Sequence, residues 1–301
     1  MFSRKSAIVC AAAAVFGLGM AVTSQAAMVN VGQFGDQGWK ADDVRNTSGT
    51  DLVGINNTHA GKPGQTPTAA DDIAIAAQIK FVNSEPSGST YGGAVWIDGT
   101  TDNNGKSNYS VIDTTTGFGT GASLLSSFSA TYESYSIGRT LAFKLGIQST
   151  DWGTGAGQSQ NGFSAIRSGE SAWDLVLVHL HEPAQYNTWI TESVDHDTGT
   201  WALYDQAGNA FYTAPGGGTM KTLDDWNADA TWGPKLFGTG AKVTSIQFGL
   251  GSYQKNGTAY LDYLQTNLLN GGDVVNFVPE PSAISLLGVG AIALMRRRRR
   301  A

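Results

Sequence analysis

Short segments in which apolar and polar residues alternate cover most of the chain between residues 27 and 278. Alternation with a period of two residues is typical of β-strands that bury one face. Clusters of Gly, Asn, Asp and Ser separate these segments, and no long stretch has the 3.6-residue period of an amphipathic helix. The pattern predicts an all-β protein in which two sheets pack as a single β-sandwich.

Several segments have the length and the alternation expected of strands: residues 72–82, 91–98, 128–137, 140–148, 173–181, 189–194, 200–204, 242–250 and 258–265. Gly138 and Arg139 separate the third segment from the fourth, and residues 195–199 separate the sixth from the seventh. Turns as short as these commonly join two paired strands. We therefore predict a β-hairpin at each of the two places.

Two further features of the pattern are local. Residues 173–181 are apolar on both faces, which is typical of a central strand in a sheet. Thr222 is followed by Asp224 and Asp225, and a threonine cap with acids in the first turn favours a helix. One short helix is therefore predicted to begin after Thr222.

The first 26 residues have the three parts of a secretory signal peptide. Arg4 and Lys5 form a basic start, residues 7–21 are almost wholly apolar, and Ala26 ends a cleavage site of small residues. The single cysteine, Cys10, lies inside the apolar part. The exported protein therefore forms no disulfide and depends on its core, alone or with a bound metal ion.

The last 23 residues, 279–301, combine an acid between two prolines, an apolar run and a basic end. Pro279 and Pro281 keep Glu280 on an extended, protease-accessible segment. As a helix, residues 282–295 would cover only about 21 Å. That is short of the roughly 30 Å of a bilayer core. Basic residues hold such an end on the cytoplasmic side, and here they are Arg296, Arg297, Arg298, Arg299 and Arg300.

This order of parts resembles the PEP-CTERM sorting signal of Gram-negative-type bacteria. In that family an exosortase, a membrane transpeptidase-like enzyme, cuts near the motif. The resemblance implies that the export machinery and an exosortase are partners, and that the C-terminal helix holds the chain in the inner membrane before processing. The body would then reach the cell surface or the extracellular space. Family members are common in cells that make exopolysaccharide, which is therefore a candidate partner.

The body of the protein, residues 27–278, is acidic. The chain has 19 bases and 25 acids, a net charge of −6. The signal peptide contains two of the bases, and the tail contains five bases and one acid, which leaves 12 bases and 24 acids, or −12, for the body. Such a surface repels nucleic acid and acidic polysaccharide and attracts divalent cations. Nucleic acid is therefore excluded as a partner.

Residues 257–265 resemble the closing strand of carbohydrate-binding jelly rolls and concanavalin-like sandwiches, which ends in a small, aromatic, apolar and Asp pattern. The resemblance implies that residues 27–278 form one jelly-roll-like β-sandwich, flanked by the signal peptide and the hydrophobic sorting helix. In some of these modules the matching aspartate helps to bind a structural calcium ion. Asp262 is therefore a candidate calcium ligand.

His179 and His181 form a second candidate metal site, because residues two apart on a strand share a face. Glu182 or His196 is the candidate third ligand. The alternative is that the two histidines mark the point where a strand leaves the core.

Eight tryptophans raise the question of aromatic contacts with sugars. Trp173 and Trp201 alternate with apolar neighbours and are expected in the core. Trp152 lies in a glycine-rich stretch that could expose it, so it is the candidate ligand-contacting residue.

The known catalytic motifs are missing from the chain. It has no Glu-x-Asp-x-x-Glu of laminarinase-type glycosidases, no nucleophile elbow, no phosphate loop and no His-Glu-x-x-His. This favours a noncatalytic, exported sandwich that is a structural or carbohydrate-contacting component of the cell surface or extracellular matrix. The alternative is a secreted polysaccharide-active enzyme, a glycoside hydrolase or lyase of the concanavalin-like class. Two carboxylates at glycosidase spacing on one face of the sandwich would favour that alternative.

Overall fold

The computed structural model describes most of the body. The described residues are 27–45, 52, 68–83, 86–99, 106–112, 117–149, 175–181, 185–205, 210–212, 220–250, 256–269 and 272–279. The predicted signal peptide, residues 1–26, and the sorting segment from residue 280 onwards lie outside this set. Within it, no helix is both long and apolar enough to cross a membrane.

The strands of the described residues form two sheets, A and B, of seven strands each. Sheet A contains β1 (Met28–Asn30), β3 (Ile79–Asn83), β4 (Gly93–Asp98), β6 (Ser129–Ile137), β9 (Trp189–Asp195), β13 (Thr258–Thr266) and β14 (Val274–Asn276). Sheet B contains β2 (Trp39–Arg45), β5 (Lys106–Ile112), β7 (Ala142–Gln148), β8 (Leu175–Leu180), β10 (Trp201–Asp205), β11 (Ala210–Tyr212) and β12 (Lys242–Leu250). The helices are α1 (Ala69–Gln78), α2 (Gly121–Ser126), α3 (Leu223–Ala228), α4 (Gly233–Phe237) and a 3-10 helix (Asp36–Gly38).

Sheet A is built around β13. Strand β6 pairs along one edge of β13, and β9 pairs with β6. Along the other edge, β4 pairs with the first half of β13 and β14 with the second half, with β3 beyond β4 and β1 beyond β14. Sheet B has the order β11-β10-β8-β7-β12-β5-β2. Among the described ladders, β1 with β14 is parallel and the others are antiparallel.

Aromatic side chains fill the space between the two sheets. Phe143 of β7 stacks on Phe248 of β12 with ring centroids 5.0 Å apart, and Tyr132 of sheet A packs 5.5 Å from Phe143. Trp39 stacks on Tyr109 at 5.2 Å. All five are buried, so the alternating inner positions of both sheets share one core. The predicted all-β, jelly-roll-like sandwich is confirmed.

Both predicted hairpins are wrong, because each turn connects strands of different sheets. Strand β6, before Gly138, pairs with β13 and β9 in sheet A, whereas β7, after it, pairs with β8 and β12 in sheet B. The turn at residues 195–199 likewise leads from β9 in sheet A to β10 in sheet B. Alternation shows which face of a strand is buried. It does not show whether two consecutive strands pair within one sheet or pack against each other across the core, because both arrangements bury the same face.

The predicted strand 72–82 is wrong over its first part, where the structure has helix α1. The Thr68 side chain caps this helix by accepting a hydrogen bond from the Asp71 backbone N–H at 3.1 Å. Ile75 is buried, whereas Ile73 is 73% exposed, so these positions do not share one buried face as they would on a strand. The strand that follows the helix, β3, covers only the last part of the predicted range.

Other local predictions are confirmed. Strand β8 lies between β7 and β10 in the interior of sheet B. Helix α3 begins after Thr222, whose hydroxyl accepts a hydrogen bond from the Asp225 N–H at 3.1 Å. Strand β13 is present as predicted but does not close the domain, because β14 follows it and pairs with it.

Candidate functional site

Four aromatic side chains form a line across the outer face of sheet A. Trp189 of β9 pairs with Tyr135 of β6, and Tyr135 pairs with Tyr260 of β13. Tyr260 in turn pairs with Trp96 of β4. Each of these side chains is half-buried. We call the line of Trp189, Tyr135, Tyr260 and Trp96 the aromatic stripe. With neighbouring strands roughly 4.8 Å apart, the stripe is about 14 Å long.

The rings of the stripe hold one another in place. Trp189 and Tyr135 meet edge to face with centroids 5.5 Å apart, and Tyr135 and Tyr260 do so at 5.9 Å. At the other end, the Lys80 ammonium lies 4.4 Å from the centroid of the Trp96 ring, which is a cation–π contact. The stripe is therefore ordered by contacts within the protein before any ligand binds.

The sequence places the stripe outside because its neighbours fill the core. Val95 and Ile97, on either side of Trp96, have 0% exposure, and the two neighbours of Tyr260 are buried in the same way. Successive side chains of a strand point to opposite faces, so the aromatic residue between them must face outwards. A row of large aromatic rings on an outer face contributes little to the core, so the aromatic stripe is the candidate contact surface.

A loop that we call the rim segment, residues 86–92, lies against one end of the stripe. The Trp189 indole N–H donates to the backbone carbonyls of Pro86 and Ser87, each at 3.2 Å. Gly88 adopts a φ of 101° and lies so close that a Cβ there would be 3.5 Å from the Trp189 ring. The rim segment and Trp189 therefore form one packed unit.

Two carboxyl groups of sheet A hold the other half of the rim segment. Glu133 accepts hydrogen bonds from the Thr90 N–H at 2.8 Å and the Thr90 hydroxyl at 3.0 Å. Asp262 accepts one from the Tyr91 N–H at 2.9 Å. Glu133 precedes Tyr135 of the stripe by two residues on β6, so the carboxyl pair lies beside the stripe.

The same pair is buried and its members interact. Asp262 is fully buried and Glu133 is 6% exposed. Burial, followed by hydrogen bonding with Glu133, raises the pKa of Asp262 to about 7. The Asp262 Oδ1 atom is buried and has no hydrogen-bond partner among the described residues. A hydrogen-bond donor or a cation would supply the missing contact.

The calcium ion predicted at Asp262 stays a prediction. The carboxylates of Asp262 and Glu133 and the Thr90 hydroxyl are oxygen ligands of the kind that Ca²⁺ takes, and the unpaired Oδ1 fits that role. In the described part of the chain, no group of three or more His, Cys, Asp or Glu side chains could hold a metal ion. A calcium ion here would therefore need hydroxyl, backbone or water oxygens as its remaining ligands.

His179 and His181 both lie close to the carboxylate of Glu192, which was not among their predicted partners. The Nε2 of His179 lies 2.9 Å and the Nδ1 of His181 lies 3.1 Å from Oε1 of Glu192 on β9. Only the first contact has hydrogen-bond geometry. The Tyr132 hydroxyl donates to the other Glu192 oxygen at 2.6 Å. Because His179 lies in sheet B and Glu192 and Tyr132 lie in sheet A, this cluster ties the two sheets together.

The partners of Glu192 favour its ionised form. Burial raises the pKa of Glu192, but hydrogen bonds from His179 and Tyr132 outweigh burial and lower it to about 2. The Nδ1 of His179 donates a hydrogen bond to the Thr200 carbonyl oxygen at 2.8 Å. Both ring nitrogens of His179 therefore face oxygen acceptors.

The third metal ligands proposed for the histidine pair are not shown at the cluster. His196 contacts Asp224 instead, with His196 Nδ1 3.1 Å from an Asp224 oxygen. Glu182 lies outside the described residues. A metal ion on His179 and His181 therefore stays a prediction.

The outcome for the tryptophans is mixed. Trp201 is fully buried, which confirms its place in the core. Trp152 and Trp173 lie outside the described residues, so the ligand contact predicted for Trp152 stays a prediction. Trp96 and Trp189 were not predicted as ligand-contacting residues, although both lie on predicted strands and Trp96 alternates with the buried Val95 and Ile97.

The described part of the chain is thus a β-sandwich with an aromatic outer face, and it leads directly into a sorting sequence. Residues 277–300 match the PEP-CTERM protein-sorting motif. The match confirms the predicted sorting signal and covers Pro279, Glu280, Pro281 and the arginine cluster. The search of curated proteins returned no relative of the chain.

Similarity to solved structures is low. One is the family 11 carbohydrate-binding module of a cellulosomal cellulase of Clostridium thermocellum, with 15% identity, 68% of this chain and 84% of that chain covered, and a TM-score of 0.33. Another is the family 11 module from the same organism in complex with a β-1,3-1,4-mixed-linked tetrasaccharide, with 15% identity, 67% and 86% covered, and a TM-score of 0.33. Neither similarity carries an argument about what this chain binds.

Proposed function

We propose that this protein is exported, processed by an exosortase and delivered to the cell surface or extracellular matrix, where its noncatalytic sandwich contacts carbohydrate through the aromatic stripe. The observation that carries the carbohydrate proposal is the register of four aromatic residues across four neighbouring strands. The PEP-CTERM motif at residues 277–300 supports the sorting part.

The chemistry of the stripe suits a sugar chain. Aromatic side chains present large, rigid apolar faces at low entropic cost, and tyrosine and tryptophan add a polar group at the ring edge. Pyranose rings likewise combine apolar C–H faces with polar edges. A length of about 14 Å allows several consecutive sugar units to lie along the stripe. An extended glycan therefore matches the stripe better than a compact small molecule, which would require a deep pocket.

The carboxyl groups nearest the stripe support a noncatalytic role. Glu133 and Asp262 are both buried. A glycosidase needs two carboxyl groups that can reach the reacting bond or water. Both groups are also occupied by N–H donors of the rim segment. A secreted polysaccharide-active enzyme remains the alternative, to be decided by the activity assay described below.

The proposal is tested by glycan binding of the purified body. The wild-type body would be compared with Trp96→Ala and Trp189→Ala on a glycan array and by affinity electrophoresis in the exopolysaccharide of the source bacterium. Each substitution should weaken binding at least about tenfold, since losing about 1.4 kcal/mol of contact energy has that effect. Ile73→Ala removes an equally apolar side chain that is 73% exposed on α1, and it should bind as the wild type does. No binding by the wild type, or equal binding by all four proteins, would overturn the carbohydrate proposal.

A further inference from the structure

We propose that Asp273 binds the α-ammonium group of Ala27 in the exported protein and thereby fastens β1 to β14. This ammonium group is created when the signal peptide is removed after Ala26, so the inference rests on the export step of the proposed function. It does not depend on glycan binding or on the exosortase.

The first step is the place of Ala27 in sheet A. Strand β1 runs parallel to β14 and begins with Met28 opposite Val274. Ala27 comes just before this strand, and both of its backbone polar groups have partners. The Ala27 N–H donates to Oδ1 of Asp273 at 2.9 Å, and the Ala27 carbonyl accepts a hydrogen bond from the Val274 N–H at 2.9 Å. Ala27 is therefore the residue at which the chain enters the ladder.

The second step is the change of charge at the Ala27 nitrogen. Hydrolysis of the Ala26–Ala27 peptide bond uses one water molecule, whose hydroxyl joins the carbonyl carbon of Ala26 and whose hydrogen joins the nitrogen of Ala27. The new carboxyl group then loses a proton and the new amine gains one, because the pKa of an α-amino group is about 7.7 to 8.0. A neutral amide donor thus becomes a cation without having to move. Hydrogen bonds between an ammonium and a carboxylate are roughly twice as strong as neutral ones.

The third step is that the Asp273 carboxylate has no competing cation. In the described part of the chain, no lysine, arginine or histidine forms an ion pair with it. The body also has an excess of acids, so a cation beside one of them lowers the net repulsion. Because the contact lies near the surface, its strength is that of an exposed ion pair.

The geometry also distinguishes between neighbouring cleavage sites. A cut one residue later would remove the Ala27 carbonyl that accepts the Val274 N–H, and it would place the ammonium on Met28. A cut one residue earlier would leave a neutral amide nitrogen opposite Asp273. The ladder and the carboxylate together therefore fit a protein that begins at Ala27.

The consequence extends to the C-terminal end of the body. Strand β14 lies between β1 and β13. At the far end of the β1–β14 ladder, the Val31 N–H donates to the Asn276 carbonyl at 2.8 Å. The next residue, Phe277, begins the sorting motif. Removal of the signal peptide therefore strengthens the ladder from which the sorting sequence continues.

The test is digestion with an aminopeptidase, which needs a free α-amino group to remove a residue. A wild-type body that begins at Gln25 and its Asp273→Asn variant would be digested at about pH 7 and followed by intact-mass analysis. Gln25 and Ala26 should be removed at the same rate from both. Ala27 should then be removed about threefold faster from Asp273→Asn, which is the effect of an exposed ion pair of ordinary strength. Each rate is divided by that of a short peptide with the sequence of residues 27–32 under the same conditions.

Two controls show whether the charge is the cause. Asp273→Asn keeps an oxygen that can accept from the Ala27 nitrogen and removes only the negative charge. Asp225→Asn makes the same change at an exposed residue of α3 and should be digested as the wild type is. The difference between the wild type and Asp273→Asn should shrink in about 1 M salt, which screens charges within about 3 Å. Equal rates of Ala27 removal at low salt, or a difference that salt does not change, would overturn the proposal.

The N-terminal mass of the exported protein separates this inference from the proposed function. A protein that begins at Ala27 and is digested more slowly than Asp273→Asn supports both. A protein that begins at Ala27 but is digested independently of Asp273 leaves export standing and overturns the role of Asp273. An exported protein with another first residue overturns the inference alone, and a protein that keeps its signal peptide overturns the export step as well.

Discussion

Replacing Glu192 with glutamine should destabilise the body, because Glu192 is the group through which sheet A contacts the histidines of sheet B. The substitution keeps the size of the side chain but removes the charge that His179 Nε2 and the Tyr132 hydroxyl contact at 2.9 and 2.6 Å. The Glu192 side chain is 13% exposed and that of His179 is 4% exposed, so water cannot readily replace the lost partner.

The magnitude follows from the pKa of Glu192. Hydrogen bonds lower this pKa from 4.5 to about 2, despite the opposing effect of burial. At 1.36 kcal/mol per unit, the ionised form stabilises the folded body by about 3 kcal/mol. Because the pKa is depressed on folding, this contribution is fully present above pH 4.5 and is lost as the pH falls from 4.5 towards 2. Losing it should lower the melting temperature at pH 6 by roughly 6 to 12 °C in a domain of this size.

The assay is denaturant unfolding of the body at pH 6 and pH 3.5. The free-energy difference between the wild type and Glu192→Gln should shrink from about 3 to about 2 kcal/mol on acidification, because the lower pH lies inside the window just given. Tyr132→Phe removes only the 2.6 Å hydrogen bond and should cost less, about 1.5 kcal/mol. Asp225→Asn serves as the exposed control. A Glu192→Gln body as stable as the wild type at pH 6 would refute the view that this carboxylate joins the sheets.

Three further predictions concern sorting, calcium and catalysis. Changing Pro279, Glu280 and Pro281 to alanine should leave export intact but trap an unprocessed protein in the membrane, and equal C-terminal processing of both proteins on intact-mass analysis would contradict the exosortase proposal. A chelator should lower the melting temperature of the body. Added millimolar calcium should raise it more at pH 8.5 than at pH 5, because the raised pKa of about 7 leaves the Asp262 carboxyl protonated at the lower pH. An unchanged midpoint in both conditions would count against a structural ion. The body should release no reducing ends or unsaturated products from β-glucans, xylans, alginates or the exopolysaccharide of the source bacterium. Product release that disappears in Glu133→Gln or Glu192→Gln would favour the enzyme alternative.

Much of the sandwich could be predicted because strand alternation is a local property. Strands β4, β6, β7, β12 and β13 were all expected from the sequence within a few residues. The cap of α3 could be predicted because the Thr222 hydroxyl accepts a hydrogen bond from the N–H of Asp225, only three positions away. The failure at α1 has a physical reason. Ile73, Ile75 and Ile79 are spaced by even numbers of residues, as they would be on one face of a strand, but the Thr68 cap and the tertiary packing stabilise a helix there.

The candidate site could not be predicted in the same way, because it depends on the register of distant strands. Trp96 and Tyr260 are paired although 164 residues separate them in the chain. The β-bulge between Leu261 and Tyr263 also changes which face each later residue of β13 occupies. The partner of His179 lies on another sheet, at Glu192, for a similar reason. Alternation marks each residue as outward or inward, but only strand pairing brings them together.

The sorting motif joins the sandwich without a spacer. The matched range begins at Phe277, whose side chain is fully buried and packs edge to face on Trp39 at 4.9 Å. Val278 lies so close to Gly93 that even a Cβ at Gly93 would clash with it. The strand just before, β14, pairs with β1, which follows the predicted signal cleavage site. The two proposed processing steps would therefore act on segments next to the same ladder of sheet A. A cut at or after Pro279 would leave the core aromatic residue Phe277 in place, whereas a cut before Phe277 would remove it. We therefore expect processing on the C-terminal side of Val278.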